Sequence, residues 1–169
     1  MRTLVSDGCC LNDLGKASLV DAFLKLPYEI LIPNTLFEGD LLTFTAAQKQ
    51  ALIREGMKVI DLPGESVLRA RQVVRDTPQL SIHDGFTFAL AERSAGCILL
   101  AGSANLHTLA TSHDIDVHGV LWVIDEIHQN DLSTAESLYE ALLFLAEDHT
   151  VSLLRNELTV YIRRYDSLR

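Results

Sequence analysis

Three carboxylates stand where an α/β chain presents its ligands. Asp7 closes the run Thr3-Leu4-Val5-Ser6 and is followed by Gly8. That run reads as a buried parallel strand with an acid at its carboxyl end, the edge at which open α/β sheets bind ligands. Glu38 falls one turn into a helix that starts after the strand Tyr28 to Ile32 and its terminating Pro33, with Asn34 or Thr35 as cap. Asp84 lies in the first turns of a largely apolar helix from Leu80 to Ala91. Right-handed crossovers bring all three to one edge of the sheet. Carboxylates gathered there repel and raise one another's pKa unless a cation neutralises them. An all-oxygen set suits Mg²⁺ or Mn²⁺, whereas Zn²⁺ favours His and Cys. An ion of that kind activates water and stabilises charge on a phosphoryl group. Each acid also has a purely structural use: Asp7 in an Asx-turn, Glu38 as a charge near a helix N-terminus, Asp84 in an S-x-x-D capping box opened by Ser81.

The elements that must position these acids alternate along the chain. Leu19, Val20, Phe23 and Leu24 have helical spacing, and Gly15 separates them from a preceding turn. Thr45 caps a helix that runs to Glu55 and stops at Gly56; a strand follows over Met57 to Leu62. The Pro63-Gly64 turn opens a helix from Glu65 to Asp76, which Thr77-Pro78 ends. Cys97 to Ala101 is uninterruptedly apolar, the mark of a central parallel strand covered on both faces. A short helix through Ala110, a strand over Val117 to Val120 and a helix over Leu121 to Ile127 follow. Amphipathic helices over Ser133 to Asp148 and Val151 to Tyr165 close the chain. The class predicted is α/β, a three-layer sandwich around a mostly parallel sheet, with C-terminal helices added.

Bulk properties narrow the function. A chain of 169 residues holds one domain with a full core, and its hydrophobic share excludes a disordered chain. No apolar run reaches the ~18 residues of a membrane span, and no basic region precedes a long apolar one at the N-terminus, so a cytoplasmic protein is expected. Cys9, Cys10 and Cys97 form no C-x-x-C pattern and read as small buried hydrophobes. A net charge of −9 argues against broad nonspecific affinity for nucleic acid but leaves room for local basic strips. Two arginine clusters, at 69, 71 and 75 and at 163, 164 and 169, read first as solvated faces. A Ser103 and His107 pair would suggest a hydrolase nucleophile, but the G-x-S-x-G elbow is missing. A receiver domain would require an adjacent acidic pair early in the chain and a Lys after its last strand, and the sequence has neither.

Over residues 1 to 130 the sequence resembles a PIN domain, the nuclease fold of many bacterial toxins of toxin and antitoxin pairs and of RNA-processing enzymes. The resemblance rests on the opening strand with Asp7, on Ile32-Pro33 followed by Glu38-x-x-Leu41, and on the helix from His83-Asp84 to Ala91. It rests also on Leu99-Leu100-Ala101-Gly102-Ser103 and on Val117-His118-Gly119-Val120-Leu121-Trp122. It implies that Asp7, Glu38 and Asp84 are catalytic, metal-binding acids of an endoribonuclease, with RNA as substrate and an antitoxin protein as partner. Ser103 stands where the family usually has a fourth acid, and Ala104, Asn105 and His107 replace basic residues that often follow. Ser103 can hold a metal-bound water and Asn105 can offer a polar contact, but neither adds negative charge. A PIN-like interaction protein with a weakened or inactive site is the alternative. Residues 131 to 169 are expected to form a helical extension on or beside the domain, with apolar stripes that could also serve a homodimer.

Overall fold

The structure is a computed structural model that describes residues 1–151 and 153–169. Its single sheet has five parallel strands: β1 (Arg2–Ser6), β2 (Tyr28–Pro33), β3 (Lys58–Ile60), β4 (Ile98–Leu100) and β5 (Asp116–His118). Their order is β3-β2-β1-β4-β5, with Leu4 between Ile30 and Ile98 and Val5 between Leu31 and Leu99. The chain builds outward from β1 on one side and then crosses to the other. The carboxyl ends of β1 and β4 therefore flank the point where strand order reverses, the place where such sheets leave a ligand crevice.

Alternation along the strands divides the core into two layers. Leu4, Ile30, Ile32, Ile98 and Leu100 point to one face. There they meet α1 (Gly8–Lys16), α2 (Val20–Leu24), α8 (Val120–Gln129) and α9 (Ala135–Glu147), through Leu11, Phe23, Ile124 and Leu142 among others. Val5, Leu31 and Leu99 point to the opposite face, against Val73 of α5 (Gly64–Asp76), Phe88 of α6 (Ile82–Glu92) and Leu106 of α7 (Ala104–Ser112). This is the three-layer α/β sandwich with a parallel sheet that the sequence predicts.

Some boundaries differ from the sequence pattern for local reasons. A turn is expected after Asp7, but α1 starts at Gly8 because the Asp7 side chain accepts the Cys10 N–H and caps the helix. The last helix, α10 (Arg155–Leu168), starts four residues after Val151; position 152, which the expected helix includes, lies outside the described residues. Tyr165 of α10 is buried, and its hydroxyl donates to Asp125 Oδ1 of α8 at 2.7 Å. Arg164 reaches both oxygens of the same carboxylate at 2.9 Å, so α10 is fastened to α8.

The helix that carries Asp84 is seated by a close approach. A Cβ at Gly85 would lie 2.8 Å from the Ala70 carbonyl oxygen and 2.9 Å from Val74 Cγ2. Arg69 of α5 adds a two-point ion pair to Glu92 of α6, at 2.8 and 2.9 Å. Alanine at position 85 gains up to ~1 kcal/mol of helix propensity but must push backbone from backbone, and overpacking of that kind costs ~1–3 kcal/mol. Gly85→Ala is therefore expected to lower stability by roughly 1–2 kcal/mol in urea unfolding. A rise in stability would mean that α5 and α6 are free to separate.

Candidate active site

Asp7 joins the two strands at the switch point. Its Oδ1 accepts the Cys10 N–H and its Oδ2 accepts the Gly102 N–H, both at 2.7 Å, while its own N–H donates to the Leu100 carbonyl at 3.1 Å. Gly102 permits this approach, since a Cβ there would lie 2.4 Å from Cys9 Sγ. The carboxyl is buried, and burial pushes its pKa up to about 6 against the pull of the two amides, with the charge of Asp84 adding to the rise.

Asp84 has the structural role that its spacing predicts and an electrostatic one besides. The Ser81 hydroxyl accepts the Asp84 N–H at 3.1 Å, and Asp84 Oδ2 accepts the Ser81 N–H at 3.2 Å, which completes the capping box of α6. Its charge bears on both Asp7 and Asp40.

Asp40 is a further acid near Asp7 that the sequence pattern does not single out. It ends the six-residue helix α3 (Asn34–Gly39), and its carboxylate lies over the backbone that follows Asp7: a Cβ at Gly8 would be 2.1 Å from Asp40 Oδ2. Asn12 of α1 holds the segment by donating to the Asp40 carbonyl at 2.9 Å. Burial raises the Asp40 pKa, His83 opposes the rise, and Asp84 adds to it. The His83 Nδ1 is itself buried, with no hydrogen-bond partner among the described residues. A strand-end Asp followed by Gly was the available signal, because such a Gly leaves room for another group to come close.

Asp7 thus lies within reach of the charge of Asp84, and the Asp40 carboxylate lies over the backbone that follows Asp7. Glu38 is exposed on α3, and its main-chain carbonyl accepts from Lys49 Nζ at 3.4 Å. Ser103 directly follows the amide that holds Asp7; its hydroxyl caps α7 by accepting the Leu106 N–H at 3.3 Å. Asn105 is exposed in the first turn of α7. Both arginine clusters contribute to helix packing, through Arg69 to Glu92 and Arg164 to Asp125.

The PIN domain family model matches residues 3–158. The chain belongs to the PIN domain family. No curated protein matches it. A PIN domain is a nuclease-like fold, and PIN nucleases generally act on RNA with divalent metal ions. Among the described residues, no helix is long and apolar enough to cross a membrane.

The acids of this PIN domain fit such an ion in a particular way. Among the described residues, no three His, Cys, Asp or Glu side chains stand close enough to enclose a metal ion by themselves. Mg²⁺ seldom needs such a cage: one or two carboxylates, several waters and substrate phosphate normally complete its shell. A carboxyl whose pKa is raised by loss of water gains from a nearby cation, and this applies to the buried Asp7 and the half-buried Asp40.

The Asp7 pKa has a consequence for stability without metal. The folded-state value of about 6 lies above the ordinary 3.8, so between those two values the native state keeps a proton that the unfolded chain has lost. The stabilising effect of protonated Asp7 is present below pH 4 and lost as the pH rises through 6. Relative to Asp7→Asn, the wild-type protein in EDTA is expected to lose on the order of 3 kcal/mol between pH 4 and pH 7. Urea unfolding of both proteins across that range checks this, and a difference that does not change with pH would contradict the buried, proton-retaining carboxyl.

Proposed function

We propose that this PIN domain is a metal-dependent endoribonuclease that hydrolyses RNA phosphodiesters, and that it acts as the toxin of a toxin and antitoxin pair. The observation that supports the reading is the placement of Asp7 at the switch point of the sheet, with the Asp40 carboxylate over the adjoining Gly8 and the charge of Asp84 acting on both. A Mg²⁺ or Mn²⁺ ion bound there would supply positive charge against phosphate oxygens and ease the ionisation of water. Asp7, with each oxygen fixed by a main-chain amide, is held in one orientation, and a bound cation would favour its charged form. Asp84 is fixed at the start of α6 by its capping box. Asp40, raised above the usual carboxylate range, is the group suited to take a proton from a water attacking in line. Of the acids on the α3 segment, Asp40 replaces Glu38 in this scheme because its carboxylate meets the backbone at Gly8.

A second reading keeps the fold and drops the reaction. Ser103 adds no charge where the family usually has an acid, and its hydroxyl is already the cap of α7. An interaction protein with a silent site would look the same in these respects.

Cleavage of an end-labelled RNA by the purified protein, with Mg²⁺, Mn²⁺ or EDTA, separates the two. Asp7→Asn and Asp84→Asn are expected to lose at least a hundredfold in rate, Asp40→Asn about thirtyfold or more, and Glu38→Gln no more than about threefold. Wild-type protein that cuts in neither metal, or Asp7→Asn that cuts as well as wild type, would remove the nuclease reading. Growth arrest on expression in a bacterial host, abolished by Asp7→Asn, would support the toxin role.

Position 103 offers an independent check. Asp caps a helix as well as Ser does, so Ser103→Asp keeps the start of α7 intact while adding a charge beside Gly102. We expect Mn²⁺ to bind about tenfold more tightly in calorimetry, equivalent to ~1.4 kcal/mol. Unchanged affinity would place the side chain at 103 outside the acidic site.

A further inference from the structure

A cleft of about 680 Å³ opens beside the acids, between the starts of α7 and α8 and the outer side of α10. We infer that this cleft is a nucleobase subsite, holding the base of the nucleotide next to the phosphate presented to Asp7. The inference rests on the nuclease reading above and adds to it the part of the substrate that the acids do not touch.

One wall is a fixed aromatic platform. His118 and Trp122 both line the cleft, with ring centroids 4.5 Å apart and planes 13° from parallel. Trp122 is backed by Tyr28 at 6.0 Å, and the Tyr28 hydroxyl donates to Glu126. His118 is oriented from the other side: its Nε2 meets Asp116 Oδ1 at 2.8 Å, and Asp116 in turn is held by Arg2 at 3.0 Å. A stack fixed at both ends takes a flat ring with little loss of side-chain freedom, which is what stacking on a nucleobase requires. Tyr161 of α10 also lines the cleft, as does Val160 at 62% exposure.

The remaining lining selects the base over the phosphate. Among the described residues that form the cleft, none is Lys or Arg, while Asp13 and Glu157 are acidic. A phosphate has no counter-charge there. Ser103, His107 and Thr108 supply donors and acceptors of the kind that meet base edges. The size falls within the range of sites for single small ligands, enough for one nucleoside. Gly102 lies in the cleft wall and its N–H holds Asp7, so the subsite and the acids share one residue and one strand end. An apolar protein segment could also fill the cleft, but it would have no use for a prefixed ring stack set beside an RNA-cleaving centre.

Trp122 is the only tryptophan in the chain, so its fluorescence reads this cleft alone. The test titrates the full-length protein, in EDTA, with a five-nucleotide RNA and with an abasic oligonucleotide of the same length. Saturable quenching by the RNA, with at least tenfold weaker quenching by the abasic strand, is expected. Val160→Glu, at an exposed site that leaves the fold intact, should weaken the quenching about tenfold. Equal quenching by the abasic strand would overturn the subsite, as would a cleft that ignores RNA and is filled by an amphipathic peptide. The two readings fail separately: quenching without cleavage upholds the subsite and removes the nuclease, and cleavage without quenching does the reverse.

Discussion

A carboxylate at the end of the central strand, held by amides from two different segments, is the constraint on which the site depends. Asp7 accepts the N–H of Cys10 in its own helix and the N–H of Gly102 beyond β4. Each bond satisfies a main-chain donor that burial would otherwise leave unpaired, and removal of the acceptor would expose that cost at two places at once. The first bond starts α1 and the second fixes where the chain leaves β4. Both segments must then lie close to the acid, which explains why Gly8 and Gly102 flank it: Asp40 occupies the space over one and Cys9 the space over the other.

The same constraint makes the acid uncomfortable as a charge. Two amide dipoles do not offset the loss of water, and the neighbouring Asp84 adds repulsion. A chain that needed only a helix cap would be better served by Ser or Asn, which bury no charge. An arrangement that is costly for folding alone and improved by a cation is the pattern expected of a functional acid.

Much of this was legible in the sequence because it followed from apolar runs and chain order. The five parallel strands, Asp7 at the end of the first and Asp84 in the first turn of α6 all follow from local patterns. The place of Asp40 did not, because nothing local sets it apart from Glu38 two residues earlier; where its carboxylate lies depends on where a six-residue helix ends and on Asn12 holding the segment against α1. The aromatic platform was equally hidden. His118 and Trp122 have three residues between them, but their partners Arg2, Asp116 and Tyr28 come from three different strands, and only the sheet order brings them together.

The C-terminal helices show how an addition to the sheet can acquire a role at the site. Leu138, Leu142 and Leu145 of α9 and Tyr165 of α10 belong to the same core layer as Leu4 and Ile98, so these helices complete one face of the sandwich. The ion pair and hydroxyl contact at Asp125 then set the direction of α10 along α8. Once that direction is fixed, Glu157, Val160 and Tyr161 must face the start of α7, and an open strand end becomes a walled cleft. The acids would define where a phosphodiester can be attacked, while the wall supplied by α10 would define what lies beside it. On the proposed reading, catalytic position and substrate preference would be set by different parts of the chain that meet at Gly102.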